Sequence, residues 1–226
     1  MKAIAVAIDG PSGAGKSTIA RAAAQHLGFV YVDTGAMYRT IGLAAYRAGI
    51  ELKNNDAVIP LLSEITVGLR YENGEQRVLL NEEDVSDKIR TPEMSKYASF
   101  VSAIPQVRAF LLDTQRNMAK KYNVIMDGRD IGTVILPDAQ VKIFLTASAE
   151  ARAQRRYLEL QQKGENTTLE EVLADMIRRD HDDSTRAEAP LKQADDAVRI
   201  DTSELTLEQS IKAVEDMIRR GMGENA

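Results

Sequence analysis

The chain has no cysteine and no tryptophan, and only two histidines, His26 and His181. Without cysteine there is no disulfide, no thiolate nucleophile and no cysteine-ligated zinc. Two histidines do not make a histidine metal cluster. Long apolar runs are missing as well. The longest near the N-terminus, Ala3 to Ile8, is closed by Asp9, too short for a signal peptide or a membrane span. The cytoplasm is therefore the expected location. Nor is there an excess of positive charge: Lys and Arg number 29 against 34 Asp and Glu, a net charge of −5. That balance argues against broad binding to nucleic acid or to an anionic membrane. What is left is an ordinary globular composition, 44% hydrophobic and 28% charged over 226 residues. A chain of this length buries a sizeable core as one domain, with or without an insert.

The stretch that organises the rest is Gly10-Pro11-Ser12-Gly13-Ala14-Gly15-Lys16-Ser17, followed by Thr18. It fits G-x-x-x-x-G-K-[ST], the loop that wraps a polyphosphate. Glycines at 10, 13 and 15 let the backbone turn and bring its N–H groups close to phosphate oxygens. A helix starting near Lys16 aims its positive dipole end at the same anion. Lys16 adds a mobile charge for the β- and γ-phosphates, and the Ser17 hydroxyl is the expected Mg²⁺ ligand. The context suits this reading. Ile4 to Ile8 has the pattern of a buried parallel strand, and Thr18 to Leu27 that of a helix stopped by Gly28.

Further along, Phe29–Val32 reads as a strand and Ala36–Ala48 as a helix ended by Gly49, a parallel α/β opening. Asp56–Ile65 reads as a short helix with Asp56 as its N-cap. Thr66–Tyr71 and Gln76–Leu80 alternate as strands around Asn73-Gly74, a hairpin signal. Thr91-Pro92 restarts helix, and Pro105 divides the region into helices over 92–103 and 105–121. Val124–Asp127 and Val141–Leu145 are the next strands. Ser148 caps a helix reaching Gly164, and Thr168-x-x-Glu171 is a capping box. Val198–Asp201 is the last strand. Thr206-x-x-Gln209 opens a final helix to Arg220, with Gly221 beyond it. One domain over 1–226 is expected, with a core of about 1–60 and 92–226, a β insert of about 64–91 and a lid of about 150–190.

Charges collect at three places where open α/β sheets bind ligands. In Asp33-Thr34-Gly35-Ala36-Met37-Tyr38-Arg39, the guanidinium of Arg39 either forks onto a second phosphate or lies solvated on a helix surface. In Met126-Asp127-Gly128-Arg129-Asp130, a buried strand ends in carboxylate. There Asp127, acting through water, is a candidate to orient Mg²⁺, with Asp33 as the alternative. Arg129 and Asp130 are either a mutual structural ion pair or part of a site. The third run, Ile177 to Leu191, carries Arg178, Arg179 and Arg186 with no apolar face after Ile177. It reads as a solvated helix end or as a mobile segment that closes over a phosphoryl-transfer site. Upstream, Arg152 and Arg156 share a helix face, pointing at a nucleotide or pairing with glutamates.

Taken in order, GPSGAGKS, DTGAMYR, DVSDKIR, ASFVSAIPQVR, MDGRDIGTV and RDHDDSTRAEAPL resemble the bacterial cytidylate kinase family from Met1 to past Leu191. That resemblance implies a P-loop NTPase three-layer fold with a five-stranded parallel sheet in the order 2-3-1-4-5. It also implies a lid and a monophosphate-binding region enlarged by the β-hairpin. The implied reaction moves the γ-phosphoryl group of ATP, with Mg²⁺, to CMP or dCMP. Gly10 to Thr18 and Arg156 would hold ATP. Thr34, Arg39 and Arg129 would meet the acceptor nucleotide, the two arginines gripping its phosphate. Ser99, Arg108 and Asp130 would read the cytosine edge. Arg179 and Asp183 would face the ribose, and Arg186 the transferring phosphoryl. Lys16, Arg39, Arg129 and Arg186 form the implied catalytic set. The partners expected are the two nucleotides alone, the chain working as a monomer without nucleic acid or membrane. The rival readings are a P-loop kinase for another small molecule, a nucleotide-dependent switch and a protein-interaction module. A switch would usually carry N/T-K-x-D, which this sequence does not contain.

Overall fold

The computed structural model describes residues 3–72 and 74–223. Its central sheet is built from β1 (Ala5–Asp9), β2 (Val30–Asp33), β6 (Val124–Gly128), β7 (Val141–Thr146) and β8 (Val198–Asp201). These five strands are all parallel and run in the order β2-β6-β1-β7-β8. Counting only core strands, that is the expected 2-3-1-4-5. Side chains alternate across β1 as a two-residue period requires. Val6 and Ile8 meet Ile19, Ala20 and Ala23 of α1 (Lys16–Leu27) and Val214 and Ile218 of α8 (Leu207–Gly221). Ala5 and Ala7 face the other way, packing with Met126, Ile131 and Ile135 and, at the edge, with Leu112 and Met118 of α5 (Pro105–Lys121).

The largest apolar cluster lies beside the sheet. It joins α2 (Thr34–Arg47), α3 (Asn55–Leu61) and α4 (Pro92–Ser102) to a separate antiparallel sheet of β3 (Val67–Glu72), β4 (Glu75–Leu80) and β5 (Glu83–Asp84). The hairpin register pairs Val67 with Leu80 and Glu72 with Glu75, and β5 is a strand the alternation did not signal. Asn73 lies outside the described residues. Val78, Leu80, Val85 and Ile89 are buried against Ile41 and Val101, so the insert shares a core with α2 and α4. Tyr71 donates from its hydroxyl to the Tyr31 carbonyl at 3.1 Å, which ties the hairpin to β2.

Local differences from the sequence reading trace to side chains acting as caps. Asp33 accepts from the Ala36 N–H and starts α2 two residues early. Asn54, not Asp56, caps α3, which ends at Leu61 rather than Ile65. Gly221 lies inside α8 instead of beyond it: a Cβ there would come within 2.4 Å of Val141, so glycine lets the helix end press on β7. Ile131–Ile135, following the charged strand end, forms a single π-helical turn. The stretch expected to form a lid holds α6 (Ala149–Gln162) and α7 (Leu169–Thr185), packed on each other through Ala153, Val172 and Met176. Helix α7 continues through the run read as lacking an apolar face. It does so because Asp183 is buried there on an arginine of β6's loop.

Candidate active site

The loop between β1 and α1 presents its backbone to a ligand. Gly15 occupies the N-cap position at φ 83°, and among the described residues no side chain caps α1 and no acid stands in its first turn. Its first N–H groups and dipole end are thus left for an anion. Gly13, at φ 74°, also has the Met176 methyl of α7 where a Cβ would stand, 2.6 Å away; α7 leans on the loop at that point. Lys16 is buried and donates to the Pro11 carbonyl at 2.7 Å. Burial, and then the Arg129 charge, hold its ammonium well below the usual lysine range.

Beside Lys16 stands a group of hard oxygens. Ser17 Oγ donates to Asp127 Oδ2 at 2.8 Å, and Tyr31 donates to Oδ1 at 3.0 Å. Thr34 Oγ1 donates to the Asp127 carbonyl at 2.7 Å. Burial, with Asp33 nearby, raises the Asp127 carboxyl to about 6. The donor set is oxygen-only, with one serine hydroxyl and one buried carboxylate that lacks a cation at hydrogen-bond distance among the described residues. This fits Mg²⁺, an ion that keeps several waters and takes one or two carboxylates plus substrate phosphates. Asp33 serves another purpose: it caps α2 and accepts from Arg90 Nη1 at 2.9 Å.

A prediction follows from the raised carboxyl. Between pH 3.8 and about 6 the folded protein holds a proton on Asp127 that the unfolded chain releases. Stability from this group therefore falls as pH rises through that window. Asp127→Asn should raise the unfolding free energy of the nucleotide-free protein at pH 7–8 by on the order of 2–3 kcal/mol. The gain should vanish below about pH 4. Parallel stability-against-pH curves for the two proteins would refute the assignment.

Beside Lys16, three arginines lie near enough for their charges to act on one another. Arg39, Arg129 and Arg179 each depress or oppose their neighbours' charge, and Arg129 does the same to Lys16. Arg129 is braced, with Nε donating to Asp183 Oδ2 at 2.8 Å and Nη1 to the Gly128 carbonyl at 3.2 Å. Arg39 Nη1 and Arg179 Nε are buried without a hydrogen-bond partner among the described residues. Burial first, then repulsion from Arg129, takes Arg179 down to about 10. Burial alone would raise the Asp183 carboxyl, but Arg129 and Arg179 beside it hold it below the usual range. A cluster of this kind, with donors unused, is shaped for a polyanion.

Asp130 does not pair with Arg129. It is bound at close range by Arg108 Nη2 and approached by Arg186 Nη2 at 3.7 Å. Arg108 also donates to the Ser102 carbonyl at 3.2 Å. Ser99, half-buried on α4, receives the Ser102 hydroxyl on its carbonyl at 2.9 Å. Two positions differ from expectation. Arg186 folds onto the Ala189 carbonyl at 2.9 Å and Ser102 Oγ at 3.3 Å, so it stands with the Asp130 group and not at the loop. Arg156 bonds Glu159 at 2.7 Å, while its neighbour Arg152 reaches the loop through the Ser12 carbonyl at 2.9 Å and holds Asp180 at 2.7 Å.

Several residues escaped the sequence reading. Asp9 accepts from the Ile131 and Gly132 N–H groups, both at 2.7 Å, and so fixes the strand-end loop of Asp130 to the phosphate loop. A carboxylate ending a buried strand was its signal, the same one used for Asp127. Arg90 and Ser102 carried none, being polar residues at a helix entry and a helix end.

A protein-family model described as "Cytidylate kinase" matches residues 6–220. A cytidylate kinase of Geobacter sulfurreducens is 50% identical over 218 residues, covering 96% of this chain and 94% of that protein. A cytidylate kinase of Caldicellulosiruptor saccharolyticus is 47% identical over 223 residues, covering 99% of each. Among solved structures, a shikimate kinase from Bacteroides thetaiotaomicron aligns over 96% of this chain and 98% of its own at 13% identity and a TM-score of 0.49, too distant to argue from. With full-length similarity of this order, the chain belongs to the cytidylate kinase family.

Proposed function

We propose that the chain transfers the γ-phosphoryl group of ATP to CMP and dCMP, giving CDP and dCDP, across the cleft between the Gly10–Thr18 loop and the arginine cluster. The observation that carries the assignment of residues is that cluster: Lys16, Arg39, Arg129 and Arg179 lie near enough for their charges to act on one another, with buried guanidinium nitrogens unused. Two like-charged phosphates must be brought in line, and their repulsion is the obstacle. No general base is required, because the acceptor oxygen is already anionic.

Gly10 to Thr18 wrap the ATP phosphates, with Lys16 leaving the Pro11 carbonyl for the β/γ oxygens. Arg152 fixes the loop through Ser12, and Arg156, one turn along the same helix, would have to leave Glu159 to meet ATP. Ser17, with Asp127 through water, would hold Mg²⁺, which supplies charge neutralisation at the phosphates when bound. Arg39 and Arg129 take the acceptor phosphate beside Thr34. Arg179 stands close enough to both to share that load, and Asp183 braces Arg129 through Oδ2 while its Oδ1, 4.0 Å from Arg186 Nη1, would face the ribose. Arg186, placed beside Asp130, serves the acceptor side in this conformation. Asp130 accepts from the cytosine amine, and Arg108 and Ser99 supply the complementary groups. The partners are the two nucleotides, and the chain is taken to work as a monomer. Among the described residues no helix is long and apolar enough to cross a membrane. The cytoplasm, with its ATP supply, is the compartment that suits the reaction.

The test is ADP release, coupled to a reporter, with AMP, CMP, UMP, GMP and dTMP as acceptors. CMP should be the best of the five, and equal rates would overturn the base assignment. Asp130→Ala should narrow the CMP-over-UMP preference by about tenfold to a hundredfold, the effect of leaving Arg108 unpaired at a buried edge. An unaltered ratio would remove Asp130 from base reading.

A further inference from the structure

Helix α5 turns its buried face inward through Val107, Leu111 and Gln115. The third of these is an amide at a position where the helix period calls for an apolar residue. Gln115 is only 1% exposed, and its Nε2 completes no hydrogen bond among the described residues. A buried amide is destabilising unless it is used. Gln115 lines the same cavity wall as Tyr38. Tyr38 is itself buried, and its ring lies 5.6 Å below the Arg108 guanidinium. Arg108 in turn is bound to Asp130. Gln115, Tyr38 and Arg108 thus line one cavity, and from Tyr38 the contacts run through Arg108 to Asp130.

Arg108 has somewhere else to go. The cavity, of about 260 Å³, lies beside it, bordered by Tyr38, Gln115, Leu112, Ile135 and Glu188. That is room for several waters, and the Glu188 carboxylate on its rim offers a second partner for a guanidinium. Asp130 on one side and Glu188 on the other define two seats for the same arginine. An arginine that withdraws to Glu188 no longer imposes its donor pattern on the base, and a uracil ring would meet less resistance.

Resting on the reading that Arg108 and Asp130 face the base, we propose that Tyr38 and Gln115 are positioning residues for base selection. The Tyr38 ring, with Gln115 beside it on the cavity wall, holds Arg108 on Asp130 and out of the cavity. A cation over an aromatic face contributes most when both are desolvated, as they are here. Selectivity is then set one layer behind the residues that touch the base.

The experiment compares kcat and KM for CMP and UMP in the wild type, Tyr38→Leu, Tyr38→Phe, Gln115→Met, Arg108→Ala and Tyr38→Leu/Glu188→Gln. Tyr38→Leu should reduce the CMP:UMP ratio of kcat/KM by about tenfold, mostly through KM for CMP. Gln115→Met should reduce it less, by a factor of about three. Tyr38→Phe, which keeps the ring, should restore most of the KM lost in Tyr38→Leu. Adding Glu188→Gln to Tyr38→Leu should recover part of the ratio by weakening the second seat, which a merely structural loss would not do. A constant ratio in the Tyr38 and Gln115 variants, with Arg108→Ala lowering it, would overturn this proposal and leave the base reading standing. A constant ratio in Arg108→Ala as well would overturn both. Should Tyr38→Leu fail to unfold cooperatively in urea, Gln115→Met decides, since it nearly conserves volume.

Discussion

Lys16→Met should lose phosphoryl transfer by at least about a thousandfold while the fold survives. The two halves of that expectation come from the same geometry. Without nucleotide, the ammonium sits buried on a single carbonyl, that of Pro11, and is repelled by Arg129. Its charge is held in place against the preference of the free protein, and only a polyphosphate makes the position favourable. Removing it therefore strips the transition state of a desolvated charge, where such charges matter most. Folding is relieved of the same strain. The sign of the pH dependence follows. Lys16 titrates below its unfolded value of 10.5 when folded, so the unfolded chain binds more protons as pH approaches that value. The wild type should gain stability as pH rises toward 10.5, and Lys16→Met should lack that slope. ADP release and urea unfolding at several pH values measure both. Turnover within tenfold of wild type would mean the loop holds something other than the transferred group.

How much of this was legible beforehand depends on the distance over which each residue finds its partner. The phosphate loop is written locally: glycine spacing and a preceding apolar strand encode the turn, and β1 and α1 stand where the pattern put them, while the sheet order is the one the family resemblance implied. Asp127 and Ser17 were each visible as types, although their 2.8 Å contact spans 110 residues. The run from Ile177 onward stayed ambiguous, solvated helix end or closing segment, because its charges have no local partner to decide it. Asp183 is buried with Arg129, 54 residues away, as its hydrogen-bonded partner. Arg152 and Arg156 share a helix face, and periodicity has no means of saying which one reaches Ser12. Arg186 follows the helix end, at φ −60° and ψ 144°. A turn of the backbone there sends its side chain to Ser102 and not to the loop. Arg90 was invisible for a related reason: its use lies in Asp33, a residue that neutralises Arg90 and caps α2 at once. Local pattern names the elements and the chemistry-bearing residue types. Long-range ion pairs choose among them.

Arg129→Ala should reduce kcat/KM for CMP by about a thousandfold, lowering kcat and raising KM together, with KM for ATP changing by no more than a few-fold. Arg129 lies between everything the reaction needs. It stands near Lys16 electrostatically, donates to Asp183 on α7 and to the Gly128 carbonyl, and shares its cluster with Arg39 and Arg179. Its remaining donors are those that would meet the acceptor phosphate. Arg129→Lys should not rescue the loss, because an ammonium has no planar fork with which to satisfy a carboxylate, a carbonyl and a phosphate at once. Helix α7 should loosen too. Asp183 is ionised below the usual carboxylate range because of Arg129 and Arg179, so this pair contributes stability above pH 3.8 that is lost as pH falls through the folded value. Arg129→Ala should accordingly be less stable than the wild type at pH 7, with the gap narrowing once the pH is taken well below 3.8. Steady-state kinetics over both nucleotides and urea midpoints at the two pH values separate the roles. A defect confined to ATP affinity would move Arg129 from the acceptor to the donor side. A stability gap of equal size at both pH values would show that Asp183 gains nothing from it.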